Sequence, residues 1–220
     1  YNNFILKTSA ELDLRNQKAV EDFFEHEKPE YVFLAAAHVG GIHANNTFRA
    51  EFIYDNLMIQ SNVIHSAYKF KSKKLMFLGS SCIYPKLAPQ PLKEEYLLSG
   101  FLEETNEPYA IAKIAGIKMC EYYRSQYGSN FISVMPTNLY GPNDNSLKFV
   151  TKVLRALLEN KPSIELTGGM QKRDFVYIDD VVDITIKALS YQNEFVGSMN
   201  VGLGKAETVL SLATKIKSFY

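Results

Sequence analysis

The sequence predicts an α/β fold with a doubly wound parallel sheet, and three observations lead to this prediction. Short apolar runs alternate with amphipathic stretches of about ten to twenty residues along nearly the whole chain of 220 residues. The runs are apolar at consecutive positions, as in strands that are buried on both faces of a parallel sheet. No internal repeat, low-complexity tract or flexible linker interrupts the alternation. Such an order is typical of crossover connections that cover both faces of a sheet.

Four strands and three helices are predicted up to residue 136. The strands are apolar runs of strand length, and the first helix is amphipathic and ends before Pro29. The second helix has apolar side chains that recur every three or four residues. In chain order we predict strand 4–7, helix 16–26, strand 31–37, helix 51–70, strand 74–79, helix 109–127 and strand 131–136.

The remainder of the chain continues the alternation with shorter strands. We predict helix 149–159, strand 164–167, an extended piece at 175–178, helix 179–189, strand 199–202 and helix 206–219. One stretch, 84–108, is irregular, is long for a connection and contains four of the eight prolines. Long ordered loops in α/β domains are usually functional, because binding sites form at the carboxyl ends of the strands.

Composition excludes several classes of protein. Lysine plus arginine number 24 and aspartate plus glutamate number 24, so the zero net charge gives no electrostatic basis for binding nucleic acid. An apolar share of 46% excludes an intrinsically disordered chain. The two cysteines, Cys82 and Cys120, argue against a disulfide framework and fit a reducing cytoplasm. We predict neither a metal, since histidines and cysteines lack ligand spacing, nor a membrane span.

The most specific motif is a tyrosine followed four positions later by a lysine, Tyr109 and Lys113, at the start of a predicted helix. This spacing places both side chains on one face of the helix. A free tyrosine has a pKa of about 10, and an ammonium group one turn away favours its phenolate. The pair is therefore suited to acid–base catalysis near neutral pH. Both residue types are common, so the spacing alone leaves a structural pair as the alternative.

Two hydroxyls and a thiol follow the predicted strand 74–79. Ser80, Ser81 and Cys82 lie where a parallel sheet opens its crevice. A serine at that position can hydrogen-bond a carbonyl whose oxygen receives the proton of the tyrosine. An ordinary turn is the alternative for these three residues taken alone. The ordered set of this strand end, the tyrosine–lysine helix and a strand ending in the Pro-Thr-Asn of 136–138 is much rarer.

Longer stretches around these residues resemble a known family. They read EYVFLAAAHVGGIHANN (30–46), FIYDNLMIQSNVIHSA (52–67), FLGSSCIYPK (77–86), TNEPYAIAKIAGIKMCEYY (105–123) and MPTNLYGPNDN (135–145). The chain resembles the extended short-chain dehydrogenase/reductases, which include sugar-nucleotide epimerases, dehydratases and reductases. Among them it is most similar to the GDP-L-fucose synthases. Beyond residue 145 the likeness is generic for extended reductases, with KRDFVYIDDVVD (172–183) and NVGLG (200–204).

The resemblance implies a fold and an activity. Residues 1–145 would form a Rossmann-type dinucleotide-binding domain, and residues 146–220 an incomplete region with a smaller substrate-binding portion and late Rossmann elements. The implied reaction is the NADPH-dependent conversion of GDP-4-keto-6-deoxy-D-mannose to GDP-L-fucose, by 3,5-epimerisation and reduction of the C4 ketone. The implied partners are a nucleotide-sugar substrate, with GDP as its nucleotide, and a second copy in a homodimer, with no nucleic acid and no membrane.

The resemblance also assigns roles to single residues. Tyr109 would protonate the C4 alkoxide, and Lys113 would lower the pKa of this tyrosine and bind the nicotinamide ribose. Ser80 would hold the 4-keto oxygen. Cys82 would be the epimerisation base, since a thiolate has suitable basicity to remove the acidic hydrogens on C3 and C5. Cys120 lies on a helix that packs into the core and is interpreted as structural.

Binding residues are assigned in the same way. Arg173 matches an arginine that grips the nucleotide diphosphate, with a surface Lys-Arg pair as the alternative. Lys148 falls near the place of a family histidine that acts as an acid in epimerisation. Asn56 matches a recurring helix asparagine, with a capping or core role as an equal alternative. The expected cofactor-binding residues are Ser9, Asp13, Leu14, Leu78, Gly79, Ser81, Lys113, Pro136, Thr137, Asn138 and Leu139.

The chain departs from the family pattern in three ways. No glycine precedes Gly40, so the glycine-rich phosphate loop is missing, and we expect a strand–helix unit of roughly 25–30 residues before Tyr1. Lys7 and Ser9 mildly favour NADPH over NAD, whereas Asp13 obscures that signal. Residues 143–152 contain no histidine. A C4 reductase without epimerisation and an NAD-dependent 4-epimerase therefore stay open, as does a non-catalytic nucleotide-binding protein.

Overall fold

The alternating runs of the sequence form eight strands and seven helices within the residues that the computed structural model describes, which are 3–144, 149–165, 168–190 and 197–218. The elements up to residue 136 are α1 Gln17–Glu27, β1 Tyr31–Leu34, α2 Ile42–Thr47, α3 Arg49–Lys69, β2 Lys74–Leu78, α4 Glu107–Tyr127 and β3 Phe131–Pro136. They are followed by β4 Asn138–Tyr140, α5 Phe149–Leu158, β5 Lys172–Arg173, β6 Phe175–Tyr177, α6 Ile178–Ser190, β7 Ser198–Val201, β8 Glu207–Thr208 and α7 Val209–Ser218.

Four strands form the main sheet, in the order β1, β2, β3, β7. The first three run parallel, with Val32 opposite Leu75 and Met76 opposite Ile132. Every residue of β3 is buried, and so are the first four residues of β2. Burial on both faces explains why these strands read as continuous apolar runs. The predicted α/β class with a parallel sheet is confirmed.

The first helix shows how local sequence sets the bounds of an element. Asn16 caps α1, because its side-chain oxygen accepts the backbone N–H of Ala19 at 3.1 Å. The chain leaves the helix at Lys28, whose φ of 45° is left-handed and whose N–H donates to the Phe24 carbonyl. Pro29 follows, where the helix cannot continue. The predicted helix 16–26 is confirmed.

The two longest helices, α3 and α4, pack side by side and run parallel. Three contacts at a constant offset of 58 positions show this: Arg49 to Glu107 at 3.2 Å, Ser61 to Met119 at 3.6 Å, and His65 to Tyr123 at 2.7 Å. The apolar core lies between these helices, α1 and the sheet, and fully burying one such side chain stabilises the fold by about 1.5–3 kcal/mol. Its buried members include Val20, Phe24, Leu34, Val63, Ile64, Leu75, Phe77, Ile114, Ile117 and Phe131.

The chain folds into two compact units. The first consists of Tyr1–Met135 with Leu189–Met199, and the second of Pro136–Ala188 with Asn200–Tyr220. Two small sheets belong to the second unit: β4 pairs with β6 in parallel, and β5 pairs with β8 in the antiparallel sense. Among the described helices, none has the combination of length and apolar character that crossing a membrane requires.

Several predicted elements differ from the structure. Residues 4–7 do not form a strand; Phe4 and Leu6 are exposed, because no described strand pairs with this segment and satisfies its backbone. The strand predicted at 31–37 ends at Leu34 in the structure. Residues 164 and 165 are irregular, and the rest of predicted strand 164–167 lies outside the described residues. The short elements α2, β4, β5 and β8 were not predicted, because two to six residues carry little periodic signal.

Candidate active site

Tyr109 and Lys113 lie on the first two turns of α4. Pro108 follows the first helical residue, where its missing N–H leaves no intrahelical hydrogen bond unmade. Residues four positions apart are neighbours on one helical face. The Nζ atom of Lys113 lies 5.7 Å from the centre of the Tyr109 ring. The structure therefore brings this predicted pair together.

Residues of strand β2 hold the side chain of Lys113 in place. Its side chain is only 3% exposed, and Nζ donates a hydrogen bond to the Leu78 carbonyl at 2.7 Å. Nζ also lies 4.7 Å from the centre of the Phe77 ring, within the range of a cation–π contact. Burial lowers the pKa of Lys113 to about 8, against a smaller opposing effect of Cys82. This lysine can change its charge near neutral pH.

The pKa of Tyr109 differs from the expectation that Lys113 would lower it. Burial raises the pKa of the phenol above its ordinary value, and the charge of Cys82 acts in the same direction. The physical reason is that burial removes the phenolate from water, and the neighbouring groups do not compensate for the lost hydration free energy. Lys113 Nζ is directed to the Leu78 carbonyl and to the ring of Phe77. In this arrangement Tyr109 is a retained proton donor, which suits a group that protonates an alkoxide.

Ser80 and Cys82 lie together in a turn at the end of β2. Ser80 has extended backbone and caps a short 3₁₀ helix, Ser81–Ile83, because its Oγ accepts the N–H of Cys82 at 3.4 Å. The 3₁₀ helix packs against α4. Burial raises the pKa of the Cys82 thiol, whereas the Ser80 hydrogen bond and the charge of Lys113 oppose that rise. The four predicted catalytic residues thus belong to one neighbourhood of the first unit.

Gly79 joins β2 to this turn and is required by packing. A Cβ atom there would lie 3.1 Å from Met135 Cγ, 3.3 Å from Ile117 Cδ1 and 3.3 Å from the Val134 carbonyl. Its N–H donates to that carbonyl at 2.8 Å, which continues the strand pairing. Close contact with neighbouring chain segments therefore accounts for this glycine.

The N-terminal residues assigned to the cofactor lie in a loop before α1. Ser9 is exposed in a turn. Asp13 accepts from Nε of Arg15 at 3.0 Å and from Nη2 at 2.9 Å, and these bonds lower its pKa. The carbonyl of Leu14 accepts from Nδ2 of Asn62 at 2.9 Å, which ties the loop to α3. The guanidinium of Arg15 thus pairs with Asp13, and it also contacts Asp55 Oδ1 at 3.2 Å.

The loop after β1 is organised by two neighbouring side chains of α3. Asn56 accepts the N–H of His38 at 2.8 Å and donates to its carbonyl at 2.9 Å. Asp55 contacts Nδ1 of His38 at 2.9 Å. Gly40 leaves no space for a side chain, since a Cβ would lie 2.9 Å from Phe52 Cζ. Of the two roles open for Asn56, satisfying buried backbone groups matches these contacts.

The remaining predicted binding residues lie in the second unit. The backbone N–H and Nδ2 of Asn138 both donate to the Asp174 carbonyl, at 3.1 and 3.0 Å. The N–H of Thr137 donates to the Val201 carbonyl at 2.9 Å. Arg173 is exposed in β5, opposite Glu207. Lys148 lies outside the described residues, and its predicted role stays a prediction.

Comparison with known protein families decides the family. The sequence profile described as "NAD dependent epimerase/dehydratase family" matches residues 2–202. The chain belongs to this family. The chain is 52% identical over 226 aligned positions to GDP-L-fucose synthase 1 of Arabidopsis thaliana, covering 99% of this chain and 70% of that protein. It is 49% identical to GDP-L-fucose synthase of Escherichia coli K12, covering 96% of this chain and 71% of that protein.

One solved structure is also similar to this chain. MlghC, a GDP-mannoheptose C4 reductase from Campylobacter jejuni with NADP bound, superimposes with a TM-score of 0.91 and is 41% identical. The match covers 99% of this chain and 75% of that one. The chain thus spans roughly 70% of the length of these relatives. An NAD(P) cofactor is accordingly a property of the family to which the chain belongs.

Sequence reasoning missed two groups that contact the helix carrying Tyr109 and Lys113. The ring of Phe77 lies beside the Lys113 ammonium, and the buried Gln60 donates to the backbone of α4. Both contacts join residues more than 35 positions apart, so no local spacing predicts them. Gln60 lies on the same helical face as the equally buried Asn56, so the sequence pattern does not distinguish it.

Proposed function

We propose that this chain carries the catalytic centre of an enzyme that converts GDP-4-keto-6-deoxy-D-mannose to GDP-L-fucose, by epimerisation at C3 and C5 and reduction at C4. The observation that supports the proposal is that four side chains lie where the end of β2 meets the first turns of α4. They are Ser80, Cys82, Tyr109 and Lys113. Relatives about half identical over nearly the whole chain are named GDP-L-fucose synthases.

Reduction at C4 requires a hydride on carbon and a proton on oxygen. The nicotinamide cofactor supplies the hydride when it is bound. Tyr109 transfers its phenolic proton to the C4 oxygen, and the product is an alcohol. The Ser80 hydroxyl donates to the keto oxygen and orients it, while the Lys113 ammonium stabilises the phenolate that remains.

Epimerisation uses the acidity that the C4 ketone gives to the hydrogens on C3 and C5. Cys82 as thiolate removes one of these protons, and a water molecule gives a proton to the opposite face of the resulting enolate. The hydroxide left behind then takes the proton from the Cys82 thiol, which restores the thiolate and the water. Burial raises the pKa of the Cys82 thiol, and the Ser80 hydrogen bond and the charge of Lys113 oppose that rise only in part, so the thiolate that would act as the base is a minority form at neutral pH.

The residues present fit the nicotinamide half of a dinucleotide. An ammonium group has three N–H donors, and the Leu78 carbonyl accepts one from Lys113, so ribose hydroxyls can accept others. NADPH is the proposed form. Arg15 pairs with Asp13, a carboxylate of that loop that would otherwise repel a 2′-phosphate, although the same guanidinium also pairs with Asp55, and Lys7 is exposed nearby in the sequence. The Campylobacter relative was solved with NADP.

A C4 reductase without epimerisation is the second candidate. Residues 143–152 contain no histidine that could act as the second acid. The relative MlghC is named a GDP-mannoheptose C4 reductase, with a TM-score of 0.91. Such an enzyme requires Ser80, Tyr109 and Lys113 but does not require Cys82.

A homodimer through α3 and α4 is part of the proposal. The outer faces of these helices carry exposed apolar and aromatic side chains, Tyr54, Ile111 and Tyr122. Sedimentation of the full-length protein, compared with a Tyr54→Glu variant, tests this surface. A wild-type dimer that becomes a monomer in the variant supports it, and a monomeric wild type contradicts it.

The deciding experiment incubates full-length protein with GDP-4-keto-6-deoxy-D-mannose in D₂O, with NADPH or with NADH, and identifies the product by NMR. GDP-L-fucose with deuterium at C3 and C5, formed faster with NADPH, is the expected result. A C4-reduced sugar without deuterium would instead establish the second candidate. If neither cofactor is oxidised, the reductase assignment is wrong.

A further inference from the structure

A buried glutamine joins α3 to the catalytic helix. Gln60 is 2% exposed, and its Nε2 donates to the Ala112 carbonyl at 2.5 Å. Ala112 lies within the turn that separates Tyr109 from Lys113. A backbone carbonyl within an α-helix already accepts an N–H four residues on. The bond from Gln60 is therefore an additional one, directed at the turn that carries the two catalytic side chains.

A glycine on the next turn makes this contact possible. A Cβ atom on Gly116 would lie 3.0 Å from Cδ of Gln60 and 2.5 Å from Cζ of Phe77. The missing side chain allows both groups to approach α4 closely. Phe77 is fully buried, and its ring lies beneath the Lys113 ammonium. Gln60 and Phe77 thus meet at the helix from two directions, one from α3 and one from β2.

We propose that Gln60 is a positioning residue for the C4 reduction. Its bond to Ala112 fixes how α4 lies against β2, so that the Lys113 ammonium stays on the Phe77 ring and the Leu78 carbonyl. The role of Gln60 in catalysis rests on the proposed function. Its effect on the position of Lys113 depends only on contacts within the first unit.

A role in stability alone does not explain the choice of residue. Burying an amide is favourable only when it is hydrogen-bonded, and an apolar side chain of equal length would fill the same space. The amide differs from an apolar residue in being directional. A displacement of catalytic groups by about 1 Å can reduce a rate by a hundredfold, so directional control of this turn has a functional consequence.

The test compares Gln60→Met, which keeps the length but cannot donate, with Ser61→Ala. The Ser61 hydroxyl also reaches from α3 to α4, where it donates to Met119 Sδ at 3.6 Å, so its variant loses a bond between the same two helices away from the turn of Tyr109 and Lys113. In full-length protein at saturating NADPH and substrate, Gln60→Met should lower kcat about tenfold with KM for the sugar nearly unchanged. Ser61→Ala should keep kcat within about twofold under the same conditions.

The second measurement needs no turnover. NMR of ¹³Cε-labelled lysine follows the titration of Lys113, whose neighbours among the titratable groups are Tyr109 and Cys82. Loss of the Gln60 bond should let water reach the ammonium and move this titration to higher pH, whereas Ser61→Ala should leave it in place. If the wild-type enzyme oxidises no NADPH, the proposed function is wrong. If the Lys113 titration still moves in Gln60→Met, Gln60 nevertheless positions Lys113.

A further variant, Gln60→Glu, keeps the inference testable if Gln60→Met does not fold. Its carboxyl group can donate to Ala112 only when protonated, so kcat relative to wild type should fall as this carboxyl ionises. An unmoved Lys113 titration and wild-type kcat in Gln60→Met, with only a lower unfolding temperature, would overturn the proposal. A flat ratio of kcat for Gln60→Glu to wild type across pH would do the same.

Discussion

Lys113 and Leu78 are joined by a 2.7 Å hydrogen bond from the buried ammonium to the last carbonyl of β2. The bond places a positive charge where the strand ends and the Ser80–Cys82 turn begins. Because the ammonium is almost completely removed from water, its pKa falls to about 8. A catalytic group with such a pKa makes activity depend on pH in the range where enzymes are ordinarily assayed.

The first prediction is therefore a loss of kcat for C4 reduction as pH rises through about 8, the pKa of Lys113. Below that pH Lys113 is charged and supports the Tyr109 phenolate, and above it the charge is lost. Stability should change in the opposite sense. Between about 8 and the ordinary value of 10.5, the folded protein binds fewer protons than the unfolded chain, so stability contributed by this group rises with pH.

Measured kcat between pH 6 and 10 checks the first part, and urea unfolding over the same range checks the second. The Lys113→Arg variant is the comparison, since a guanidinium stays charged throughout. Its kcat should be lower at pH 7 but should lack the alkaline decline. An alkaline decline that persists unchanged in this variant would assign the titration to another group.

The second prediction concerns Tyr109→Phe. Removing the phenolic proton donor should lower kcat for C4 reduction by about 10²–10⁴-fold, which is the usual contribution of general acid catalysis. Steady-state oxidation of NADPH measures this, and circular dichroism should show a nearly unchanged fold. Tyr127→Phe is the matched control, because Tyr127 lies at the far end of the same helix and is 49% exposed. Equal activity of the two variants would remove Tyr109 from the mechanism.

Local chemistry explains which features could be predicted from the sequence. Continuous apolar runs identified the parallel strands, and Asn16 with Pro29 bounded the first helix. The spacing of Tyr109 and Lys113 predicted that their side chains lie together, since it depends only on helical geometry. These features arise within a few residues of one another, so the sequence carries them without knowledge of the fold.

The features that could not be predicted depend on pairing at long range. Residues 4–7 have the composition of a strand, but strand formation depends on a neighbouring strand, and no described segment supplies one. The direction of the Tyr109 pKa depends on burial, which spacing does not reveal. The position of Phe77 under Lys113 results from how α4 crosses β2.

The third prediction separates the two half-reactions. Cys82→Ser should abolish deuterium incorporation at C3 and C5, because a hydroxyl is far too weak a base, while C4 reduction of a substrate that needs no epimerisation is retained. NMR of the product in D₂O measures both. Cys120→Ala is the control; this thiol is 1% exposed in the core, and its loss should reduce stability but keep the deuterium incorporation. Persistent incorporation in Cys82→Ser would exclude Cys82 as the base.

The fourth prediction tests the contact beneath the catalytic helix. In a helix interior, replacing glycine by alanine normally stabilises by about 0.5–1 kcal/mol. At Gly116 the added Cβ would lie 2.5 Å from Phe77 Cζ, and neither this buried ring nor Gln60 has free space. We therefore expect Gly116→Ala to lower the free energy of unfolding by about 1–3 kcal/mol, the usual cost of overpacking, despite the gain in helix propensity.

Urea denaturation measures this change in the free energy of unfolding, with Gln126→Ala as the control. Gln126 is exposed on the same helix, so alanine there also adds helix propensity but meets no buried neighbour. The control substitution should therefore leave stability nearly unchanged. A Gly116→Ala protein as stable as the control would mean that α4 can move away from β2 at little cost, and that the close contact does not hold Lys113.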